Sequence, residues 1–353
     1  MANNNQEPSA KTQLFSSTRF SFGKRHTRDL RIVRIKPGPN GLALLRACRR
    51  TNLEIGDSWL RHVLFCFEHP VDMLDKLSAL PADILSRIRH VRVGSADLVF
   101  TAPGDAGVDP VHPLLSLYPV YPLASALKLL PGLRLDQLTV LGHPRDSCDG
   151  DGMRYYDRLN GLIEHGNGWK TLRYICHTSA LLGFKVQLHP WESSPEFCRD
   201  PQPKHWQAVM QGRDGIGSSA SVTVYRAQEP AVYGSILDPS KRVSFEQKPH
   251  EGEDLPPGVL RPEDPELRTG DEQKKEIMVI VKRGSGVDYE EKKDSPFLKD
   301  DIRRDFPGMT WRQLQEFSPV CNETLPCGTY KVPYAVQVDA YKDVDEYAWF
   351  QYY

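Results

Sequence analysis

The 353-residue chain lacks most features that announce a function. No apolar run approaches the roughly 18 residues a membrane-spanning helix needs, so no membrane partner is expected. The formal net charge is only −1, which removes any global argument for nucleic acid or an acidic lipid surface. The opening MANNNQEPSAKTQLF has no apolar core of secretory type. The seven cysteines (Cys48, Cys66, Cys148, Cys176, Cys198, Cys321 and Cys327) are odd in number and irregular in spacing. Reduced, buried thiols fit them better than a disulfide framework. The expected setting is therefore intracellular, cytoplasmic or nuclear. The Ser, Arg and Phe mixture of SSTRFSFGKRHTR is a weaker pointer to a mitochondrial address. Without an export signal, the acceptor tripeptide Asn322-Glu323-Thr324 reads as chance.

Reaction motifs are missing too. No Gly-x-Ser-x-Gly nucleophile elbow occurs. GIGSS (215–219) precedes a strand, and GSG (284–286) lacks the third glycine of a dinucleotide loop, so both read as turns. RDSCDGDG (145–152) is acidic, but counting from Asp149 puts Arg154 where a calcium loop needs glycine and Asn160 where it needs glutamate. Cys176 and His177 are adjacent on a strand and so face opposite ways, which prevents a nucleophile–base pair. Neither His189, Cys198 and His205 nor Cys321 and Cys327 have zinc-ligand spacing. No catalytic, cofactor or metal residue is assigned from the sequence, and no cofactor is expected.

What is there is architecture. Apolar residues make up 39% and charged residues 26%, which describes a globular core diluted by long solvated loops. The length suggests about two domains. Residues 1–28 are polar and read as a disordered arm. Residues 1–50 hold 11 Lys and Arg against two acids, Glu7 and Asp29. Such a run is a solvated arm, or a docking arm for an acidic partner or a nucleic-acid backbone. A strand at LRIVRI (30–35) is broken by KPGPNG, and LALLRACRRTNLEI (42–55) reads as a helix with Arg46, Arg49 and Arg50 clustered on one side.

From there to about residue 200 the chain alternates helix and strand. RHVLFCF (61–67) reads as a strand covered on both faces. DMLDKLSALPADILSRI (72–88) is helical, with Pro81 starting a second short helix. RHVRV (89–93), DQLTVLG (136–142) and KTLRYIC (170–176) are strands of one type, each entered from a helix through a short turn. Helix, turn and strand in repetition predict parallel neighbours covered by helices. The strand separations are too uneven for a regular solenoid. The expected fold is α/β, with irregular helix–strand repeats forming a mainly parallel, degenerate leucine-rich-repeat-like layer over 29–200. A mixed α+β part follows over 201–353. In it KHWQAVMQ (204–211) is helical, SASVTVYRA and EIMVIVKRG are strands, and about 228–275 is a proline- and charge-rich surface excursion. Thr310 and Gln313 form a capping box. YAVQVDAY (334–341) is a last strand before an acidic, aromatic tail.

These residues resemble a large group of fungal F-box-like proteins of unknown function. In that group a Leu-Leu-Arg-x-Cys-Arg helix precedes a Glu-Ile step and a Phe-x-Phe strand, here Leu44, Leu45, Arg46, Cys48, Arg49, Glu54, Ile55, Phe65 and Phe67. LSALPADILSRIRHVRV, LKLLPGLRLDQLTVLG, GNGWKTLRYICHTSALLGF, VIVKRGSG and DVDEYAWF extend the resemblance over most of residues 40–350. Such proteins usually open with a Leu-Pro-x-Glu-Ile box, which the N-terminal region here lacks; LPADIL (80–85) imitates it.

Three functional readings follow. The first is a non-catalytic protein-interaction scaffold that contacts a partner through the loops after 89–93, 136–142 and 170–176. Its candidate partner-binding residues are Arg46, Arg49, Arg50, Trp349, Phe350 and Tyr352. The second is an enzyme with a dispersed site at His143, His177, Asp146 and Asp149. The third is a ubiquitin-ligase substrate receptor that docks its adaptor through Leu80, Pro81, Ile84 and Leu85.

Overall fold

The computed structural model describes residues 60–100, 120–142, 152–179, 184–187, 196–199, 203–245, 271 and 274–317. The arm 1–28, the helix expected over 42–55, the strand expected over 334–341 and the tail lie outside the described residues.

Strand β1 (Leu64–Cys66) feeds helix α1 (Pro70–Leu77). Pro70 suits a first turn, where no intrahelical N–H bond is lost. Met73, Leu74 and Leu77 form the buried stripe of α1. Pro81 divides the helical pattern and stands at the N-cap of the single-turn α2 (Ala82–Leu85). β2 (His90–Gly94) follows. A ribbon of β3 (Leu98–Val99) and β4 (Val120–Tyr121) leads to α3 (Leu123–Leu127). Pro131-Gly132 then turns the chain into β5 (Leu135–Leu141). Gly132 sits at φ 93, in the left-handed region that glycine enters without a Cβ clash. α4 (Gly152–His165) enters β6 (Trp169–Cys176) the same way, with Gly168 at φ 85.

A second ribbon, β7 (Phe184–Gln187) with β8 (Glu196–Arg199), precedes α5 (Pro203–Asp214). Then come β9 (Ser221–Ala227), two 3-10 turns (Ser235–Leu237 and Pro239–Lys241) and β10 (Arg242–Ser244). β11 (Ile277–Lys282), α6 (Ile302–Asp305) and α7 (Trp311–Phe317) complete the described chain. At the start of α7, the Thr310 amide donates to Gln313 Oε1 at 2.8 Å and the Gln313 amide donates to Thr310 Oγ1 at 3.4 Å.

Seven strands form one mixed sheet in the order β1-β2-β5-β6-β11-β9-β10. The first four are mutually parallel, and the last three join antiparallel. The fold is α/β, and strands from both sides of residue 200 share its sheet. The stretch read as a surface excursion is structured up to residue 245. The reason is apolar: Ile236 and Leu237 close over Ile175, Ala227 and Met278. Buried Glu276 holds this turn by accepting from the Gly234 and Ile236 amides at 2.7 and 3.0 Å.

Strand alternation divides the sheet into two unlike faces. Val91, Val93, Leu138, Val140, Leu172, Tyr174, Val279 and Val281 are all fully buried on one side. The helices form a continuous layer, α7 on α1, α1 on α3, α3 on α4 and α4 on α5. Polar pins hold this layer together. Trp206 Nε1 donates to Asn160 Oδ1 at 3.0 Å, and Trp311 Nε1 donates to Asp75 Oδ1 at 2.6 Å. Tyr156 stacks on Trp206 with ring centroids 5.4 Å apart. On the other side His90, Arg92, Gln137, Thr171, Arg173, Thr223 and Tyr225 are half-buried. β1 differs from its expectation: all three of its residues are half-buried, and among the described strands it has one neighbour, β2.

Leu138→Ala and Leu172→Ala are expected to cost about 2–5 kcal/mol each in urea denaturation, since both leave cavities under the helices. Lys282→Ala, on the other face, is expected to stay within about 0.5 kcal/mol.

Candidate functional site

In open α/β sheets ligands collect beyond the carboxyl ends of parallel strands. Here that rim is laced to itself. The Phe67 amide donates to the Arg92 carbonyl at 2.8 Å, Ser95 to Leu141 at 2.8 Å and Gly142 to Ile175 at 2.7 Å. A Cβ on Gly94 would lie 2.3 Å from the Glu68 carbonyl oxygen, so the backbone leaves no room for a side chain there. Arg158 bonds Asp97 through Nε at 2.9 Å and Nη2 at 2.6 Å, tying α4 to the turn after β2.

Cys176 is fully buried at the end of β6, and His177 lies just beyond it. Burial pulls the His177 imidazole down to about 4, so it is neutral at physiological pH. His143, Asp146 and Asp149, its expected companions in a dispersed site, lie outside the described residues.

The opposite rim carries buried charge used as structure. Arg283 grips Asp214 with Nε at 2.9 Å and Nη2 at 2.7 Å, and the Gly284 amide adds a bond at 2.7 Å. Both side chains are nearly inaccessible, at 5% and 0%. Arg213 caps the carboxyl end of α4 by donating to the Ile163 and Gly166 carbonyls. Lys128 meets Glu291 at 3.1 Å, with exposures of 1% and 0%. Burial lowers the Lys128 pKa, and Glu291 restores only part of it. The segment after β11 is thereby clamped over the helix-to-strand turns. The Gly132 and Gly168 amides donate to the Glu291 and Tyr289 carbonyls at 2.7 and 2.6 Å. Arg303 donates to Asp301 through Nη2 at 2.8 Å, and Asp301 Oδ2 also accepts from the Leu298 amide at 3.0 Å. The buried charges Asp214, Arg283, Lys128, Glu291 and Asp301 each have a structural partner, so they act as a lock.

The sheet face opposite the helices has a different chemistry. Strand register sets its rows. His90, Gln137, Thr171, Lys282 and Ser221 form one; Arg92, Thr139, Arg173, Ile280 and Thr223 form the next. None of the described strand residues on this face is acidic. Arg92 and Arg173 stand two strands apart, about 10 Å. Arg242 lies over the Tyr225 ring, 4.5 Å from its centroid. Burial lowers the Arg242 pKa; the positive charge of Arg173 adds to the lowering, while Tyr225 and the Asp238 carboxylate oppose it. Lys282 is exposed. The 3-10 turn at Ser235–Leu237 is the one described element between β9 and β10 that closes part of this face.

The residues singled out from sequence are distributed as follows. Arg46, Arg49, Arg50, Trp349, Phe350 and Tyr352 lie outside the described residues. Leu85 is buried, Leu80 and Ile84 are half-buried and Pro81 is exposed. Arg173, Arg242 and Lys282 were not singled out. A signal for them exists, since Arg92 and Arg173 stand at alternate positions among apolar residues in RHVRV and KTLRYIC. Among the described residues no three metal-capable side chains gather, and no helix is long and apolar enough to cross a membrane. No family model matches the chain, and neither the curated proteins nor the solved structures contain a match.

The titration of these groups sets acid lability. Burial alone raises the Asp214 and Asp301 carboxyls, but bonds from Arg283 and Arg303 outweigh it and hold both below the usual range. Such carboxylates stabilise the fold above that range and lose the contribution as pH falls through it. His177 acts in the same direction earlier. The unfolded imidazole takes its proton near 6.5 and the folded one only near 4, so stability drops across that interval. Denaturation measured from neutral pH down to about 4 is expected to show this decline, and His177→Gln to remove up to about 3 kcal/mol of it. Asp214→Asn is expected to cost about 3 kcal/mol at neutral pH by stranding Arg283.

Proposed function

We propose that the protein is a non-catalytic scaffold for protein–protein interaction. Its helix–strand units act as a degenerate, leucine-rich-repeat-like layer. Helices stiffen one side, and the other side, with its rim loops, meets a partner polypeptide. The observation that carries this reading is the asymmetry of the sheet: an apolar, helix-packed face behind a half-buried polar face with cations and no strand carboxylate. A rigid sheet fixes the positions of such groups, as recognition requires. The seven cysteines, odd in number and irregular in spacing, suit a reducing setting, cytoplasm or nucleus. Membership in the fungal F-box-like group is proposed on the motifs alone.

The test is site-directed photocrosslinking in a cell extract. A benzophenone amino acid at Thr223, on the polar face, is expected to give a discrete protein adduct. The same group at exposed Lys76, on the helix side, is expected to give none. Adducts only from Lys76, or none from Thr223, overturn the reading.

A further inference from the structure

Within the polar face, one sector has a chemistry that selects its ligand. Arg173 on β6, Arg242 on β10 and Lys282 on β11 frame it. Its floor is Thr171, Ile280, Thr223 and Tyr225, all half-buried. We propose that this sector, on the reading above that the face is an interaction surface, is the docking site for an acidic segment of a partner polypeptide.

Charge is the first argument. Lys282 stands one strand and two residues from Arg173, Arg242 feels the positive charge of Arg173, and no described strand residue on that face is acidic. The described acid nearest Arg242 in sequence, Asp238, already accepts from the Ser240 amide at 2.9 Å and hydroxyl at 2.7 Å. Two arginines brought together repel each other, and an arriving carboxylate relieves that repulsion while gaining forked N–H donors. The floor is the second argument. Ile280 and the Tyr225 ring offer apolar contact beside the charges, while Thr171 and Thr223 offer hydroxyls. A carboxylate next to an apolar side chain matches this combination. Nucleic acid fits less well: base stacking needs open aromatic faces, and Arg242 already covers Tyr225.

The side chains are partly solvated, so each contact is modest and screened by salt. Arg173 also has polar contacts within the chain that a ligand must exchange. Micromolar affinity with strong salt dependence follows.

The experiment is fluorescence anisotropy of the full chain with a labelled peptide alternating aspartate and valine, and with its lysine-for-aspartate counterpart. The acidic peptide is expected to bind and the basic one not to. Arg173→Gln and Arg242→Gln are each expected to weaken binding about tenfold. Lys282→Gln, at an exposed position free of fold risk, is expected to weaken it severalfold. No binding, binding indifferent to all three variants, or tighter binding of oligouridine than of the acidic peptide overturns the proposal. So does self-association of the chain that Arg173→Gln abolishes, since the occupant is then a second copy. If the acidic peptide fails while Thr223 still crosslinks, the scaffold survives and the acidic partner falls. If Thr223 gives no adduct, the scaffold itself falls.

Discussion

Strand register is the constraint on which the remaining structure rests. Leu138 beside Leu172 and Val140 beside Tyr174 put these four side chains of β5 and β6 under the helices, while Leu141 and Ile175 go to the other face and meet the Ser235–Leu237 turn. A slip of one residue turns those side chains outward and brings Thr139 and Arg173 into the helix interface. The two faces of the sheet, the helix layer and the cationic rows are consequences of that one registration.

Buried charge holds the registration at one rim. Two ion pairs, Lys128–Glu291 and Arg283–Asp214, fasten the segment after β11 across the turns where helices become strands, and Arg303–Asp301 braces that segment internally. Buried pairs add little net stability over apolar packing, but a partner left alone is costly. Their role is therefore specificity of path. On this route over the turns the segment's buried charges, Arg283, Glu291 and Asp301, are matched. This links the C-terminal antiparallel strands to the parallel ones and makes a single sheet of both halves of the chain.

Much of this was legible. Helix, short turn and strand follow from local rules, and β5 and β6 lie within one residue of their expected bounds. The role of Pro81 and the Thr310–Gln313 box are equally local. The reading failed where neighbours decide. RHVLFCF looks like a strand covered on both faces, yet Leu64, Phe65 and Cys66 are each half-buried, and cover is decided by the elements packed against a strand. The stretch after Ala227 looks like solvent-borne loop. Ile236 and Leu237 nevertheless find an apolar corner built from Ile175 and Met278, residues far away in the chain. The candidate site was the least legible part, because Arg173 and Arg242 belong to strands that meet only through two others.

By itself the sequence determined the local grammar: which segments are helices, which are strands, and where glycine or proline turns one into the other. These depend on side-chain periodicity and backbone sterics within a few residues. Only the tertiary structure decided that the antiparallel strands extend the parallel set, that one face goes to helices and the other to cations, and which charges become partners. Those outcomes depend on contacts between residues more than a hundred positions apart, such as Lys128 with Glu291, and no local pattern encodes which distant surface a side chain meets.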